Sequence, residues 1–327
     1  MTQSKIAVVA GGSAGVGRAT VEKLIAEGYK VGVLARGEDR LAEMEETYGP
    51  QVMTLPCDVS DAAQVSRAAT LIEEGLGPID LWINCAMLTS FSPFTEMKDD
   101  EFRAIVDTTF MGVVNGTRAA LAQMEPRGRG QIVTLGSGLG YRAVPFQSAY
   151  CASKHAINGF VASVRSELIR KNAGITMSLV QLPALNTPQF DWARNRLETA
   201  PQPAPPIYQP EVAADAVMRA VHKGSRELFV GASVLQLVFG NIFLPDYLDK
   251  KMSTSGAEMQ KSDRDAQGTS DDNLHGPVDS IPASAHGSYG ERAKASGLIV
   301  DADLARLAVF GGLIIGTAVL SRLLPRR

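Results

Sequence analysis

From Lys5 to about Val230 the chain alternates short β-branched runs with longer stretches of helical period. A strand that is apolar at every position, as Ile6-Ala7-Val8-Val9-Ala10 is, must be covered on both faces, and helices returning between parallel strands do this. The pattern predicts an α/β fold with a doubly wound parallel sheet of about seven strands, near 5–10, 30–35, 51–56, 79–84, 130–136, 175–182 and 227–231. Helices are expected near 15–28, 38–48, 61–75, 98–124, 148–172 and 210–223, with right-handed crossovers. We place this domain at 1–250, with a lid at about 188–210, where prolines and aromatics crowd between the sixth strand and the next helix.

Composition narrows the function classes. A formal net charge of -3, with basic residues scattered rather than clustered, argues against nucleic acid as a partner. Cys57, Cys85 and Cys151 stand far apart and in no metal-ligand spacing, which reads as free thiols in a reducing compartment, without zinc. The run Ile6 to Ala10 is too short for a signal-peptide core, so a cytoplasmic catalytic part is expected. Residues 251–300 turn to Ser, Asp, Gly, Ala and Gln, and are expected to be a disordered low-complexity tether.

Three motifs carry chemistry. In Ala10-Gly11-Gly12-Ser13-Ala14-Gly15-Val16-Gly17, set between a strand and a helix, Gly11 permits a tight turn, Gly15 lets a pyrophosphate approach and Gly17 lets helix pack on sheet. The helix start offers N–H groups to the phosphates; the plain alternative is an ordinary strand-to-helix turn. At the end of strand two, Leu34-Ala35-Arg36 holds no acid to bind both ribose hydroxyls, while Arg36, helped by Arg40 or Ser13, can pair a 2′-phosphate. That favours NADP(H) over NAD(H), unless Arg36 is only a solvated helix-start residue. Asp58 follows the third strand, placed to accept from an adenine amine or to cap a helix.

The third motif is Ser137 with Tyr150 and Lys154. Tyr150 and Lys154 are four apart in a helix and share a face, and Ser137 closes the fifth strand. A phenol's ordinary pKa of about 10 is high for proton exchange, and an adjacent ammonium should lower it. Ser137 can hold a substrate oxygen as charge develops. Tyr and Lys at this spacing are common on solvated faces, so the weight rests on their coming together with the glycine loop.

In that order and spacing, Gly11/Gly15/Gly17, Asp58, Asn84-Cys85-Ala86, Ser137, Tyr150 and Lys154 resemble the short-chain dehydrogenase/reductase family, over about Lys5 to Val230. The resemblance implies a Rossmann-type sheet with a cofactor across its carboxyl edge, and a hydride-transferring oxidoreductase for carbonyl or alcohol substrates, with Tyr150 as acid/base in a proton relay. Lys154 would bind the cofactor ribose as well as tune the tyrosine. Val16, Val59, Asn84, Ala86, Pro183 and Thr187 are implied as cofactor contacts, Thr187 at the nicotinamide carboxamide. Thr109 stands where the family usually has an asparagine whose carbonyl holds a relay water, so it enters as a fourth catalytic candidate. Homo-oligomers through the fourth and fifth helices are implied too. Further along, Tyr150 to Ile157, Pro188 to Trp192 and the long tail resemble a bacterial subgroup with C-terminal extensions. The rival readings are a nucleotide sensor or scaffold without chemistry and a sugar-nucleotide epimerase, whose glycine spacing differs.

Phe190, Trp192 and Tyr208 either line the substrate site, favouring a lipophilic substrate, or pack the lid. Residues 301–327 form an apolar helix, with Leu304 to Leu324 just long enough to be a membrane candidate. Its apolarity on all sides and Gly312/Gly316 suit a bilayer, while Arg322, Arg326 and Arg327 oppose the usual charge bias. A second apolar patch, Val234 to Leu244, is too short to cross but could dip into the interface or extend the lid. A tail anchor, an interfacial contact and a helix buried on the enzyme or a partner subunit all remain open.

Overall fold

The computed structural model describes residues 4–266, 271–282 and 284–323, with side chains to residue 312. Its main sheet has β1 (Ile6–Ala10), β2 (Lys30–Ala35), β3 (Val52–Pro56), β4 (Ile79–Asn84), β5 (Gly130–Ser137), β6 (Ile175–Leu182), β7 (Glu227–Val230) and β8 (Ile299–Asp301). They lie in the order β3-β2-β1-β4-β5-β6-β7-β8. All neighbours are parallel except β8, which runs antiparallel to β7. Seven strands match the expected register. The eighth is a three-residue edge strand, too short to show a period of its own.

β1 is buried along its whole length because helices cover both sides. One face carries α1 (Gly15–Ala26), α2 (Glu38–Tyr48) and α7 (Pro210–Lys223), packed through Val21, Leu24, Met44 and Val217. The other carries α3 (Ala62–Leu76), α5 (Gly112–Met124) and α6 (Ser148–Lys171), packed through Ile72, Val113, Ile157 and Val161. The Asp61 carboxylate caps α3, accepting from the Ala63 and Gln64 amides at 2.8 and 3.1 Å. α4 (Asp99–Val106) runs into α5 through a π turn at Asp107–Met111. The strand order reverses at β1, which opens a crevice at the carboxyl edge between β1 and β4.

The expected tether at 251–300 is not one over its described residues. After α8 (Gly231–Phe243) and α9 (Pro245–Lys251), Lys261–Asp265 pairs with Thr199–Pro201, and Ala293–Lys294 pairs with Ile207–Tyr208. Leu274, Val278, Ala285 and Tyr289 are buried. The composition misleads because these few apolar side chains insert one at a time, and domain arginines take up the backbone carbonyls between them. Residues 267–270 and 283 of that stretch lie outside the described residues.

α10 (Ala302–Leu323) begins docked on the main domain, with Ala302 buried and Phe310 against Phe239 and Phe243 at 6.4 and 6.1 Å between ring centroids. Among the described residues no helix is long and apolar enough to cross a membrane. Arg326 and Arg327 lie outside the described residues. The anchor of α10 is Arg306, which donates to the Glu227 carboxylate at 2.7 Å, a buried group that also receives Tyr141 Oη at 2.5 Å and Gln181 Nε2 at 2.9 Å. Arg306→Ala strands part of that charge and should lower unfolding free energy by roughly 2 kcal/mol. Urea denaturation of both proteins reads this directly, and an unchanged midpoint would show that the ion pair contributes nothing net.

Candidate active site

The glycine loop leaves β1 through Gly11, whose φ of +86° is the left-handed region and whose added Cβ would meet the Ala86 backbone at 2.6 Å. At Gly17 a Cβ would sit 2.0 Å from the Gly11 carbonyl oxygen, so α1 packs on the loop only because that atom is missing. Gly15, with φ +56°, leaves its open side 3.4 Å from Thr187. No side chain caps α1: Ala14 holds the N-cap. Its first-turn amides are thus unclaimed by a local side chain, as anion binding at a helix start requires.

From this loop a cavity of about 460 Å³ continues along the carboxyl edge of the sheet to Ser137, Tyr150 and Lys154. Gly11, Ser13, Gly15 and Val16 line it, as do Arg36, Asp58, Val59, Ala86, Pro183 and Thr187. Gly17 stands behind the loop rather than on the cavity. Asn84 is also placed elsewhere: it is buried in the sheet, accepting from Trp82 Nε1 at 2.9 Å and donating to Thr117 and Thr134 at 3.3 Å. It supports β4 and does not face the cavity. Asp58 is left to the cavity because Asp61 does the capping. One Asp58 oxygen accepts from the Ser60 amide and hydroxyl at 2.9 and 2.7 Å.

Arg36 is not a solvated helix-start residue. Burial holds its guanidinium below the ordinary range, with Asp58 opposing, and it donates to the carbonyls of Asn273 at 2.5 Å and Leu274 at 3.4 Å. A glycine cradle, a helix start that no side chain caps and a half-buried cation beside it fit a phosphate-bearing dinucleotide.

At the other end, the Ser137 hydroxyl faces the Tyr150 phenol, and Lys154 Nζ lies 5.5 Å from the Tyr150 ring centroid. Ser137 closes β5, where its Oγ also accepts from the Leu139 amide at 3.1 Å. Lys154 Nζ donates to the Leu135 carbonyl at 2.7 Å. The expected lowering of the Tyr150 pKa by Lys154 is absent from this arrangement. Burial pushes the phenol well above its usual range, with only the Ser137 hydroxyl pulling it down. Burial also lowers the Lys154 amine to about 8, which weakens the cation that was expected to act. Cys85, on the cavity wall, is a neutral thiol pushed up to about 12 by burial.

Thr109 sits in the π turn. Its hydroxyl donates to the Leu88 carbonyl at 3.0 Å and accepts from the Leu88 amide at 2.9 Å. It is therefore engaged by backbone and not turned towards the cavity, so it positions the turn rather than holding a water through its side chain.

The three aromatic candidates separate. Phe190 lines the cavity, against Phe91 at 5.8 Å between centroids. Trp192 lines it at the Arg36 end, under the Arg40 guanidinium at 4.5 Å. Tyr208 is a core residue packed against Gly231 and Gly297, away from the cavity. The outer wall is supplied by Leu237 of α8, within the patch read as an interfacial dip or a lid extension, and by Leu248, Met252, Met259 and Gln260, which sequence reasoning missed. The apolar patch from Val234 was the available signal. Buried Gln147 joins this wall to the site, accepting from Thr89 Oγ1 at 3.1 Å and donating to Gln260 Oε1 at 2.7 Å.

The buried amine has a stability consequence. Between about pH 8 and 10.5 the unfolded chain carries a proton on Lys154 that the cofactor-free folded chain lacks. This group therefore makes stability rise with pH across that window and removes the gain as pH falls through it. Denaturation of wild type and Lys154→Met at pH 8 and 10 should show a steeper rise in the wild type. Equal slopes would place the amine's pKa near its ordinary value.

Comparison with known proteins agrees with this geometry. The family model for short chain dehydrogenases matches residues 5–197. The uncharacterized oxidoreductase YxnA of Bacillus subtilis (strain 168) is 28% identical over 269 residues, spanning 80% of this chain and 75% of that protein. The 3-oxoacyl-acyl-carrier-protein reductase FabG of Salmonella typhimurium (strain LT2) is 32% identical over 178 residues, 54% of this chain and 72% of that one. Among solved structures, a short-chain dehydrogenase from Streptomyces avermitilis has a TM-score of 0.66 at 26% identity, covering 78% of this chain and 98% of that chain. A family match over more than half of the chain, on a fold and cavity of this kind, makes this protein a member of the short chain dehydrogenase family and an NAD(P)-dependent oxidoreductase.

Proposed function

We propose that the protein is an NADP(H)-linked reductase or dehydrogenase of a lipophilic carbonyl or alcohol, with Tyr150 as its acid/base. The observation that carries this reading is that Ser137, Tyr150 and Lys154 together line one end of a cavity whose other end is the glycine loop and Arg36. Ser13, Val16 and Arg36 would hold the phosphates, with Gly15 leaving them room, and Thr187 and Pro183 would hold the nicotinamide end. The nicotinamide, when bound, supplies or accepts the hydride.

The chain does the rest. Ser137 Oγ donates to the substrate oxygen and orients it. In the reductive direction Tyr150 passes its hydroxyl proton to that oxygen as negative charge develops there, and the phenolate left behind is reprotonated with Lys154 at its side. A phenol held high by burial keeps its proton until an oxyanion needs it. In the oxidative direction the same proton returns to Tyr150. The apolar wall of Phe190, Leu237, Leu248, Met252 and Met259 favours a substrate with a hydrocarbon portion. Arg36 supports NADP(H), since no carboxylate closes β2 and a guanidinium pairs a phosphate well.

Tyr150→Phe should lower turnover by about 10²- to 10⁴-fold, the usual weight of one acid/base group, while NADPH still binds. Unchanged turnover across a panel of alcohols and carbonyls of graded lipophilicity would remove Tyr150 from the mechanism. Cofactor choice is read separately by fluorescence titration. Arg36→Ser should weaken NADPH binding by about tenfold or more and NADH binding much less, a charge-assisted contact being lost to one ligand alone. Equal losses for both would show that Arg36 does not read the 2′-phosphate.

A further inference from the structure

The family match ends at residue 197, yet the cofactor end of the cavity is closed by chain from beyond it. Residues 271–282 and 284–290 cross the ends of β2 and the glycine loop. The crossing is pinned at successive points. Asn273 N donates to the Trp192 carbonyl at 3.0 Å, Arg36 donates to the Asn273 and Leu274 carbonyls, and Arg40 donates to those of Val278 and Ile281. Further on, the Gly15 amide donates to the Ser284 carbonyl at 2.9 Å. Its apolar side chains are seated in the domain: Leu274 packs with Leu88, Ile105 and Ala149, and Ala285 with Ala19 and Ala214. Pro277 packs over Gly37, where a Cβ would be only 3.3 Å away. A segment held this way is a wall, not a passing loop.

Two of its residues, Asn273 and Pro277, line the cavity beside Arg36 and Asp58. The Asn273 side-chain oxygen is buried with no hydrogen-bond partner. A buried amide oxygen without a donor is costly, and because Asn273 lines the cavity, a small turn of its amide would bring that oxygen to a donor on a ligand. Adenosine offers such donors, in its amino group and its ribose hydroxyls.

We propose that this C-terminal crossing is a built-in wall of the cofactor site that encloses the adenosine half, with the Asn273 amide as a recognition group for an adenosine donor. The proposal rests on the NADP(H) reading above and adds to it a site component from outside the family-matched region. Arg36 is then shared: the wall's carbonyls hold it in the free protein, and the 2′-phosphate takes part of its donor set on binding.

The test uses the full-length protein. Hydrogen–deuterium exchange is followed with NADPH, with 2′,5′-ADP as the adenosine half alone, and with nicotinamide mononucleotide as the other half. Exchange over 271–282 should slow with NADPH and with 2′,5′-ADP, and stay as it was with nicotinamide mononucleotide. In fluorescence titration Asn273→Ala should weaken NADPH about tenfold, the weight of one buried hydrogen bond, and Asn273→Asp, which keeps an acceptor, should recover most of it. Exchange that is unchanged or faster on NADPH binding, or an Asn273→Ala affinity equal to wild type, would overturn the proposal while leaving the oxidoreductase reading intact. A wild type that binds neither NADPH nor NADH would overturn both. The exchange measurement needs no variant, so it decides the matter even where Asn273→Ala fails to fold.

Discussion

The carbonyl oxygen of Ala10 receives two backbone N–H groups from beyond the end of β4, those of Cys85 at 2.9 Å and Ala86 at 2.8 Å. This joins the end of β1 to the end of β4, just where the strand order reverses and the helices diverge to opposite faces. The crevice cannot close there, and Gly11 can leave the sheet only by passing against Ala86 without a Cβ. The glycine loop, the uncapped start of α1 and the position of the whole cavity follow from that junction.

At the far end of the cavity, burial governs the chemistry. Tyr150 and Lys154 share a helix face, as their spacing dictates, but the same face is turned into a cavity where charge is expensive. The phenol is therefore held protonated and the amine is brought near neutrality. The pair works as a proton store beside Ser137, and its charge state will respond to whatever charge a ligand brings. Thr109 contributes at one remove, through two hydrogen bonds to Leu88 that fix the π turn beside the site.

The C-terminal third is tied to the rest of the fold by charge and by carbonyl acceptance as well as by buried apolar side chains. Glu227 gathers Tyr141, Gln181 and Arg306, which docks α10 against the sheet edge. Arg36 and Arg40 gather carbonyls of 273–281. In between, α8 and α9 give the substrate end its apolar wall. The added chain thus shapes both ends of the cavity that the Rossmann sheet opens.

The sequence by itself determined the sheet, seven of its strands, the glycine loop and the Ser137, Tyr150 and Lys154 set, because these rest on local period, on missing Cβ atoms and on fixed helical spacing. It also marked Arg36, Asp58 and Thr187, each at a strand end. Only the tertiary structure decided that Asn84 faces the sheet, that Tyr208 is core, that burial outweighs Lys154 in setting the Tyr150 pKa, and that Leu274, Val278, Ala285 and Tyr289 are packed. Those outcomes depend on what lies across from a residue in space. In the C-terminal segment the partners are more than two hundred residues away, as Arg36 is from Asn273. No local composition records such a contact, and a stretch poor in large apolar side chains looks like a tether until its carbonyls meet the arginines that hold them.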